Sequence, residues 1–180
     1  MKSPVMTKTT EYLQHLIREI PDFPKPGILF YDITTLLKDA NGLHLAVEAL
    51  TEPFINAGID LVIGIEARGF IFAAMVAYRL QAGFIPVRKP NKLPAKTTRT
   101  SYAMEYGEQT LEMHQDAIHP GKRILIVDDL LATGGTAKAV IDMTEAACGQ
   151  VAALAFLIEL QALQGKNQLN SYSVHSVLKY

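Results

Sequence analysis

Two adjacent acids and a turn of small and hydroxyl-bearing residues form the most chemically suggestive stretch of the chain. Asp128 and Asp129 come shortly before Thr133-Gly134-Gly135-Thr136. Glycines let the backbone approach a ligand closely, and the N–H groups and hydroxyls of such a turn at a helix start bind an anion. Because the turn has no Lys, a phosphate monoester suits it better than a nucleoside triphosphate held by a Walker A loop.

The two acids would repel that phosphate, so they require a different partner. Carboxylates accept hydrogen bonds from hydroxyls, and a ribose 5-phosphate would place its diol on the acids and its phosphate in the turn. An ordinary strand, turn and helix with a glycine-rich corner is the alternative. Two acids that end a strand directly before the turn weigh against it.

The residues before the acids predict the element that positions them. Residues 124–127 are all aliphatic and indicate a strand buried on both faces, as at the centre of a parallel sheet. Ligands bind outside the carboxyl ends of such strands, which is where the acids stand. An apolar helical pattern from Ala137 to Met143 follows the turn.

A second strand, turn and helix repeats this pattern earlier in the chain. Residues 61–65 predict a short buried strand, which ends at Glu66-Ala67-Arg68-Gly69 before an apolar helix. Gly64 and Gly69 have the spacing of a Walker A loop, but Phe70 stands where Lys is required, so that match is rejected. What remains is a turn with Arg68 at a helix start, suited to a diphosphate or the edge of a heterocycle. A solvated surface arginine is the alternative.

The segment from 88 to 107 differs in composition from the rest of the chain. It contains five Lys or Arg residues and two prolines, with weak periodicity. Long connections without clear structure in a compact domain are typically functional lids or disordered segments. In a nearly neutral chain, concentrated positive charge favours a lid that closes over a polyanion. A solvated basic loop is the alternative.

The N-terminal part predicts a helix followed by a rigid apolar loop. Apolar spacing favours a helix over residues 9–20, which Pro21 ends. Residues 21–34 combine three prolines and a glycine with large apolar side chains, so they form either a cover over the core or a pocket wall. Phe30 would either stack on a planar ring there or, with Phe23, anchor the loop in the core.

The remaining patterns complete an α/β fold with a mostly parallel central sheet flanked by helices. Asn41 predicts the N-cap of a further helix that ends near Gly58. Pro86 favours an edge position for the strand at 84–87. Further strands are predicted at 110–114, 151–158 and 173–178, and a short helix at 163–166.

Length and composition limit the class of protein. The chain has 180 residues, 49% hydrophobic content and a formal net charge of −1, which predicts one domain with a sizeable core and no nucleic-acid surface. The sequence shows no signal-peptide pattern and no apolar run of membrane-spanning length, so a cytoplasmic location is expected. The histidines lack ligand spacing, which makes a protein-held transition metal unexpected. Cys148 is alone, and the apolar pattern of its helix favours a core position.

Several motifs together resemble one enzyme family. Residues 127–136, Val-Asp-Asp-Leu-Leu-Ala-Thr-Gly-Gly-Thr, resemble the phosphoribosyl-diphosphate motif of type I phosphoribosyltransferases, in the form typical of adenine phosphoribosyltransferases. The resemblance covers about residues 12–180. Its other motifs are Phe23-Pro24-Lys25-Pro26-Gly27-Ile28, Phe30, Asp32-Ile33-Thr34, Glu66-Ala67-Arg68-Gly69-Phe70, Lys92-Leu93-Pro94 and Tyr102-Ala103-Met104-Glu105-Tyr106-Gly107.

The resemblance implies a fold and a reaction. The fold is the type I phosphoribosyltransferase fold, a single domain over 1–180 with an N-terminal helix and hood at about 8–35 and a flexible basic lid loop at 88–107. The reaction is purine salvage, in which adenine and 5-phospho-α-D-ribose 1-diphosphate give AMP and diphosphate through an oxocarbenium-like transition state. Mg²⁺ would bind through the diphosphate, not mainly through protein side chains. A homodimer without nucleic-acid or membrane partners is implied.

The resemblance also implies roles for individual residues. The catalytic residues would be Asp128 and Asp129 on the ribose hydroxyls, Arg68 at the diphosphate, and Glu105, which would hydrogen-bond the purine N7 or handle its proton. The turn Glu66-Ala67-Arg68 would contact the diphosphate, with a cis peptide bond between Glu66 and Ala67. The remaining substrate-binding residues are Leu29, Phe30 and Leu130 at adenine, Arg88, Lys89 and Lys92 at the diphosphate or in the lid, and Ala132, Thr133, Gly134, Gly135 and Thr136 at the 5-phosphate.

Two other functions stay open at this point. One is a transferase of the same fold that uses xanthine, guanine or orotate. The other is a non-catalytic regulator that keeps the ribose-phosphate site as a sensor. Regulators of that kind usually add a nucleic-acid-binding element, and the short, balanced chain leaves little room for one.

Overall fold

The computed structural model of the protein describes residues 4–104 and 107–180. The chain forms two compact units, with the boundary between Ala49 and Leu50. The first contains the segment predicted as a hood, and the second contains both strand-turn-helix patterns. None of the helices in the described ranges has the length and apolar character needed to cross a bilayer.

The first unit combines short helices with a two-stranded antiparallel sheet. Its elements are α1 (Pro4–His15), β1 (Arg18–Pro21), β2 (Leu29–Asp32), α2 (Thr34–Leu37) and the start of α3 (Ala40–Thr51). The helix predicted for residues 9–20 is wrong at its end, because residues 18–20 belong to β1. Arg18 lies opposite Asp32 in the ladder, and its Nε donates to Asp32 Oδ2 at 3.0 Å. That partner is distant in sequence, so helical periodicity alone could not reveal the strand.

The cap of α3 also differs from the prediction. The N–H of Gly42 donates to Asp39 Oδ1 at 2.7 Å, so the aspartate side chain binds a free donor of the first turn. Asn41, predicted as the N-cap, lies inside the helix. Both side-chain types favour caps, and their proximity in sequence explains the error.

Replacing Asp32 by Asn is expected to lower the free energy of unfolding by about 1 kcal/mol at pH 7. The Arg18 guanidinium and the Thr34 N–H bind the ionised carboxylate and hold the pKa of Asp32 at about 2, below its ordinary 3.8. Because the folded-state pKa is depressed, this stability is present above the ordinary pKa and is lost as the pH falls towards 2. Solvent around Arg18, which is 57% exposed, keeps the effect small. Denaturant titrations of both proteins from pH 7 downwards measure it, and a difference that does not shrink below pH 4 would contradict this account.

A five-stranded parallel sheet forms the centre of the second unit. Its strands are β3 (Leu61–Ile65), β4 (Gly83–Val87), β7 (Arg123–Leu131), β8 (Gln150–Glu159) and β9 (Val174–Lys179), in the order β4-β3-β7-β8-β9. The helices are α4 (Gly69–Leu80) and α5 (Gly135–Ala146), with short 3₁₀ segments at Glu52–Phe54, Gln161–Leu163 and Gly165–Leu169. The predicted α/β class is therefore confirmed. Pro86 lies in the edge strand β4, as its missing N–H requires.

The core explains why β7 occupies the middle of the sheet. Residues 124–127 are fully buried, as four consecutive aliphatic side chains require when both faces are covered. Helix α4 packs against β3 and β7, and α5 packs against β7 and β8. Cys148 does not join this core, contrary to the prediction, because it follows the end of α5 at a positive φ of 59° and is exposed.

The basic segment 88–107 has more regular structure than its composition indicates. Strand β5 (Thr97–Met104) pairs antiparallel with β6 (Gly107–His114) to form a hairpin. The prediction of an irregular loop is wrong for the residues of β5. Its many threonines favour a strand, but the pairing with β6 decides the structure. Whether the segment acts as a lid stays a prediction.

Candidate active site

A cavity of about 380 Å³ opens at the carboxyl ends of β3 and β7. Its wall is formed by the turn after β3, by the acids and the turn after β7, and by side chains of the β5–β6 hairpin. Most of the residues that the sequence proposed for binding the substrates lie on its wall. They are Glu66, Ala67, Arg68, Lys89, Asp128, Asp129, Leu130, Ala132, Thr133, Gly134 and Thr136.

In the acid pair, Asp129 is buried and Asp128 is partly buried. Burial, followed by the neighbouring charge of Asp129, raises the pKa of Asp128 well above its ordinary value. Burial also raises the pKa of Asp129, against the opposing effect of Arg68, whose Nε lies 2.8 Å from Asp129 Oδ2. Two desolvated carboxylates with one nearby guanidinium favour additional hydrogen-bond donors or positive charge. The hydroxyl groups of a sugar supply hydrogen-bond donors, and a sugar ring that becomes positively charged supplies the charge.

The turn after β7 has a conformation that requires glycine. Gly134 has a φ of 89°, and a Cβ at this position would lie 2.4 Å from the carbonyl oxygen of Gly165. Gly165 is equally restricted, because its own Cβ would lie 2.2 Å from the oxygen of Ala132. The 3₁₀ segment around Gly165 therefore packs directly behind the turn and fixes its shape. Sequence reasoning missed this support, since Gly165 suggested only a helix stop.

The turn after β3 contains the cis peptide bond expected between Glu66 and Ala67. Glu66 Oε2 accepts hydrogen bonds from Arg88 Nε at 3.1 Å and from the Lys89 N–H at 3.0 Å. Burial works to raise the pKa of Glu66, but these two donors outweigh it and lower that pKa. The carboxylate thus holds the two basic residues that follow β4. Lys92 is also tied to this turn, because Arg88 Nη1 donates to its carbonyl oxygen at 3.3 Å.

A buried glutamate of β6 that sequence reasoning missed anchors the segment that follows β4. Glu112 is 1% exposed, and Arg99 Nε lies 2.7 Å from its Oε1. Its Oε2 accepts from the Asn91 N–H at 3.1 Å, and its backbone pairs with that of Arg88. A charged residue within the otherwise apolar stretch Leu111 to Met113 was the available signal.

The other predicted site residues lie elsewhere or outside the description. Arg88, Lys92 and Gly135 do not line the cavity, although Gly135 starts α5 beside Gly134. Leu29 and Phe30 belong to β2 in the first unit, where the Phe30 ring packs edge-on against Phe23 at a centroid distance of 5.1 Å. Glu105 falls outside the described residues.

Comparisons with known proteins show the family to which the chain belongs. The family model of the phosphoribosyl transferase domain matches residues 33–178. The chain belongs to the phosphoribosyltransferase family. An adenine phosphoribosyltransferase of Acidobacterium capsulatum is 56% identical over 98% of both chains. That of Solibacter usitatus is 60% identical over 93% of this chain and 97% of the relative.

Solved structures place this phosphoribosyltransferase in the same fold. The adenine phosphoribosyltransferase of Rhodothermus marinus has a TM-score of 0.92 at 53% identity and covers 97% of this chain and 99% of its own. The Saccharomyces cerevisiae enzyme, complexed with an imino-altritol bisphosphate and adenine, has a TM-score of 0.90 at 34% identity and covers 96% and 99%. The resemblance to type I phosphoribosyltransferases, in their adenine form, is therefore confirmed.

Proposed function

We propose that this phosphoribosyltransferase is a purine salvage enzyme that converts adenine and 5-phosphoribosyl 1-diphosphate to AMP and diphosphate. The observation that carries the proposal is a single cavity into which the acid pair, Arg68 and the glycine-rich turn all face. The names of the relatives at more than half identity support adenine as the acceptor.

The reaction exchanges one bond at C1 of the ribose. The C1–O bond to diphosphate breaks with its electron pair on the leaving oxygen, while N9 of adenine forms the new C–N bond and its proton departs. Positive charge develops on the sugar ring between these events. Asp128 and Asp129, on the ribose hydroxyls, stabilise that charge in a site with little water.

The leaving diphosphate requires positive charge in a fixed position. Arg68 stands at the N-terminus of α4, where the helix adds further partial positive charge. Arg88, Lys89 and Lys92 extend the positive region, and Glu66 holds the first two in place. Ala132 to Thr136 bind the 5-phosphate at the start of α5. The cavity and the family motif together support these assignments, except for Arg88, Lys92 and Gly135, which the family motif alone supports.

The residues present fit a magnesium ion that arrives with the substrate. The described ranges contain no group of three or more His, Cys, Asp or Glu side chains suited to a metal, whereas the acid pair offers hard oxygen atoms of the kind Mg²⁺ accepts beside substrate phosphates. When bound, Mg²⁺ neutralises charge on the diphosphate. Asp128 and Asp129 are the side chains that would face it.

Adenine binding is assigned on the family motif to Leu29, Phe30 and Leu130. Glu105 completes the proposal as the residue that hydrogen-bonds N7 or receives the purine proton. Replacing Glu105 by Gln is expected to lower kcat with adenine by about 10²-fold or more, because general acid–base groups contribute on that order. Steady-state kinetics measure this. Nearly full turnover in the glutamine variant, beside a clear loss in Asp129→Asn, would eliminate the proton-handling role.

The proposal includes a homodimer in the cytoplasm and a lid formed by the basic segment 88–107. Exposed apolar side chains support a second copy as partner, since Tyr78 is 87% exposed on α4, and Ile71 and Phe84 are each 38% exposed nearby in sequence. Light scattering of the full chain tests the dimer. A monomer at micromolar concentration would contradict it.

The decisive experiment measures diphosphate release and nucleotide formation with a series of bases. Adenine with phosphoribosyl diphosphate should give stoichiometric AMP and diphosphate. Preference for guanine, xanthine or orotate would replace the acceptor in the proposal. Calorimetric binding of the donor without nucleotide formation from any base would instead favour a ribose-phosphate sensor.

A further inference from the structure

A tyrosine of the hairpin is joined to the phosphate-binding turn. Tyr102 of β5 lines the cavity, and its hydroxyl lies 2.9 Å from Thr136 Oγ1 in the first turn of α5. The same hydroxyl donates to Gln109 Oε1 of β6 at 2.9 Å. Tyr102 and Gln109 are directly opposite in the ladder. The three side chains therefore form a chain of hydrogen bonds from the exposed hairpin into the cavity.

The positions of the hydroxyl protons show that this series of hydrogen bonds must rearrange when phosphate binds. The phenol has one proton, which goes to Gln109, so the Thr136 hydroxyl donates to the phenolic oxygen. A phosphate in the turn accepts only, so Thr136 must direct its proton to the ligand. The phenol then donates its proton to Thr136 Oγ1. A hydroxyl that accepts a hydrogen bond is a stronger donor, because hydrogen bonds in series polarise one another.

We propose that Tyr102 is a positioning residue for the 5-phosphate, which acts through Thr136 by donating to its oxygen and strengthening its hydrogen bond to the ligand. The proposal rests on the proposed function only in taking the turn as a phosphate site. According to the proposal, binding of the sugar phosphate also changes a hydrogen bond within the hairpin. The bond between Tyr102 and Gln109 opens when the turn is filled, whereas the proposed function assigns neither the diphosphate nor the base to these three side chains.

The Tyr102→Phe variant of the full chain tests the proposal. Phenylalanine keeps the ring that packs against the core and removes only the hydroxyl. Isothermal titration calorimetry with ribose 5-phosphate should show about a three- to tenfold loss of affinity, the change expected when the complex loses one neutral hydrogen bond, here the bond from the phenol to Thr136 Oγ1. Affinity for inorganic diphosphate should stay within about twofold.

A matched control lies one residue away on the same strand. Ser101 Oγ pairs with Thr110 Oγ1 at 2.8 Å across the ladder, on exposed side chains outside the cavity. Ser101→Ala therefore removes a similar cross-strand hydroxyl contact without touching the turn. It should leave both affinities unchanged. A loss equal to that of Tyr102→Phe would mean that hairpin stability, not Tyr102, sets phosphate affinity, and would overturn the proposal.

A double variant tests whether Tyr102 acts through Thr136. Once Thr136→Val has removed the hydroxyl, adding Tyr102→Phe should cause no further loss of ribose 5-phosphate affinity. The proposal would be overturned if the affinity losses of the two single variants multiplied in the double variant. Unchanged or tighter binding of ribose 5-phosphate by Tyr102→Phe would also overturn it. The proposed function is judged separately, by AMP formation in the unaltered protein. Binding of ribose 5-phosphate without AMP formation would refute that function and leave the Tyr102 comparison valid, while AMP formation without any binding of ribose 5-phosphate would overturn the Tyr102 proposal alone.

Discussion

Replacing Asp128 by Asn should lower kcat/KM for the phosphoribosyl donor by about 10²- to 10³-fold while raising the melting temperature of the free protein. The loss of activity follows from removing a negative charge beside a sugar that becomes positive in the transition state, where one such electrostatic contact has an effect of this size. The gain in stability follows from burial. Asparagine has nearly the same shape and its oxygen can still accept from the Asp129 N–H, as Asp128 Oδ1 does at 2.9 Å.

The sign of the stability effect depends on the raised pKa of Asp128. An aspartate in the unfolded chain ionises near 3.8, so between that pH and the raised folded-state pKa the folded protein binds more protons. Stability therefore falls as pH rises through this window, and the full penalty is present above it. Near neutral pH the neutral asparagine removes the penalty. The melting-temperature difference between the two proteins should shrink as the pH is lowered towards 4.

Asp142 provides the control for this comparison. It is an exposed aspartate of α5 that pairs with Lys138, so Asp142→Asn removes the same charge without relieving burial. Its activity should stay close to that of the unaltered protein, and its melting temperature should not rise. If Asp128→Asn melts lower than the unaltered protein at pH 7, the acid pair is not destabilising, and the argument from desolvation fails.

Strand β7 and the place of the acids near its carboxyl end were predictable because the information is local, although the strand continues past them to Leu131. Residues 124–127 can only be buried, and a buried strand in a parallel sheet delivers the next residues to the binding edge. The same argument holds for β3 and Arg68. Both turns line the cavity because their strands are neighbours in the sheet.

The features that escaped prediction depend on partners distant in sequence. Residues 18–20 form β1 because of Asp32, and β5 forms because β6 lies beside it. Glu112 binds Arg99 and the Asn91 N–H, and neither contact follows from its position between Leu111 and Met113. Local periodicity carries no information about such contacts. The link between Tyr102 and Thr136 belongs to the same class, since it requires the hairpin to reach α5.

Gly134 depends both on its local sequence and on a contact with a residue distant in sequence. Its place in a glycine-rich turn is visible in the sequence, but its contact with Gly165 is not. Gly134→Ala should lower the free energy of unfolding by about 1–2 kcal/mol from the positive φ alone. It should also abolish measurable donor binding, since a Cβ placed 2.4 Å from the Gly165 oxygen must displace the turn.

Gly121 separates these two effects. Its φ is 80°, close to the 89° of Gly134, but a Cβ there would meet no atom within 4 Å. Gly121→Ala should therefore show the backbone strain alone, with a loss of stability of about 1–2 kcal/mol and unchanged donor affinity. Denaturant titration and calorimetry with phosphoribosyl diphosphate measure the two quantities on each variant. Equal donor affinity in Gly134→Ala and Gly121→Ala would mean that the Gly165 contact does not shape the turn. A loss confined to Gly134→Ala would assign phosphate binding to the close packing of two glycine-containing segments, only one of which belongs to the phosphoribosyl motif.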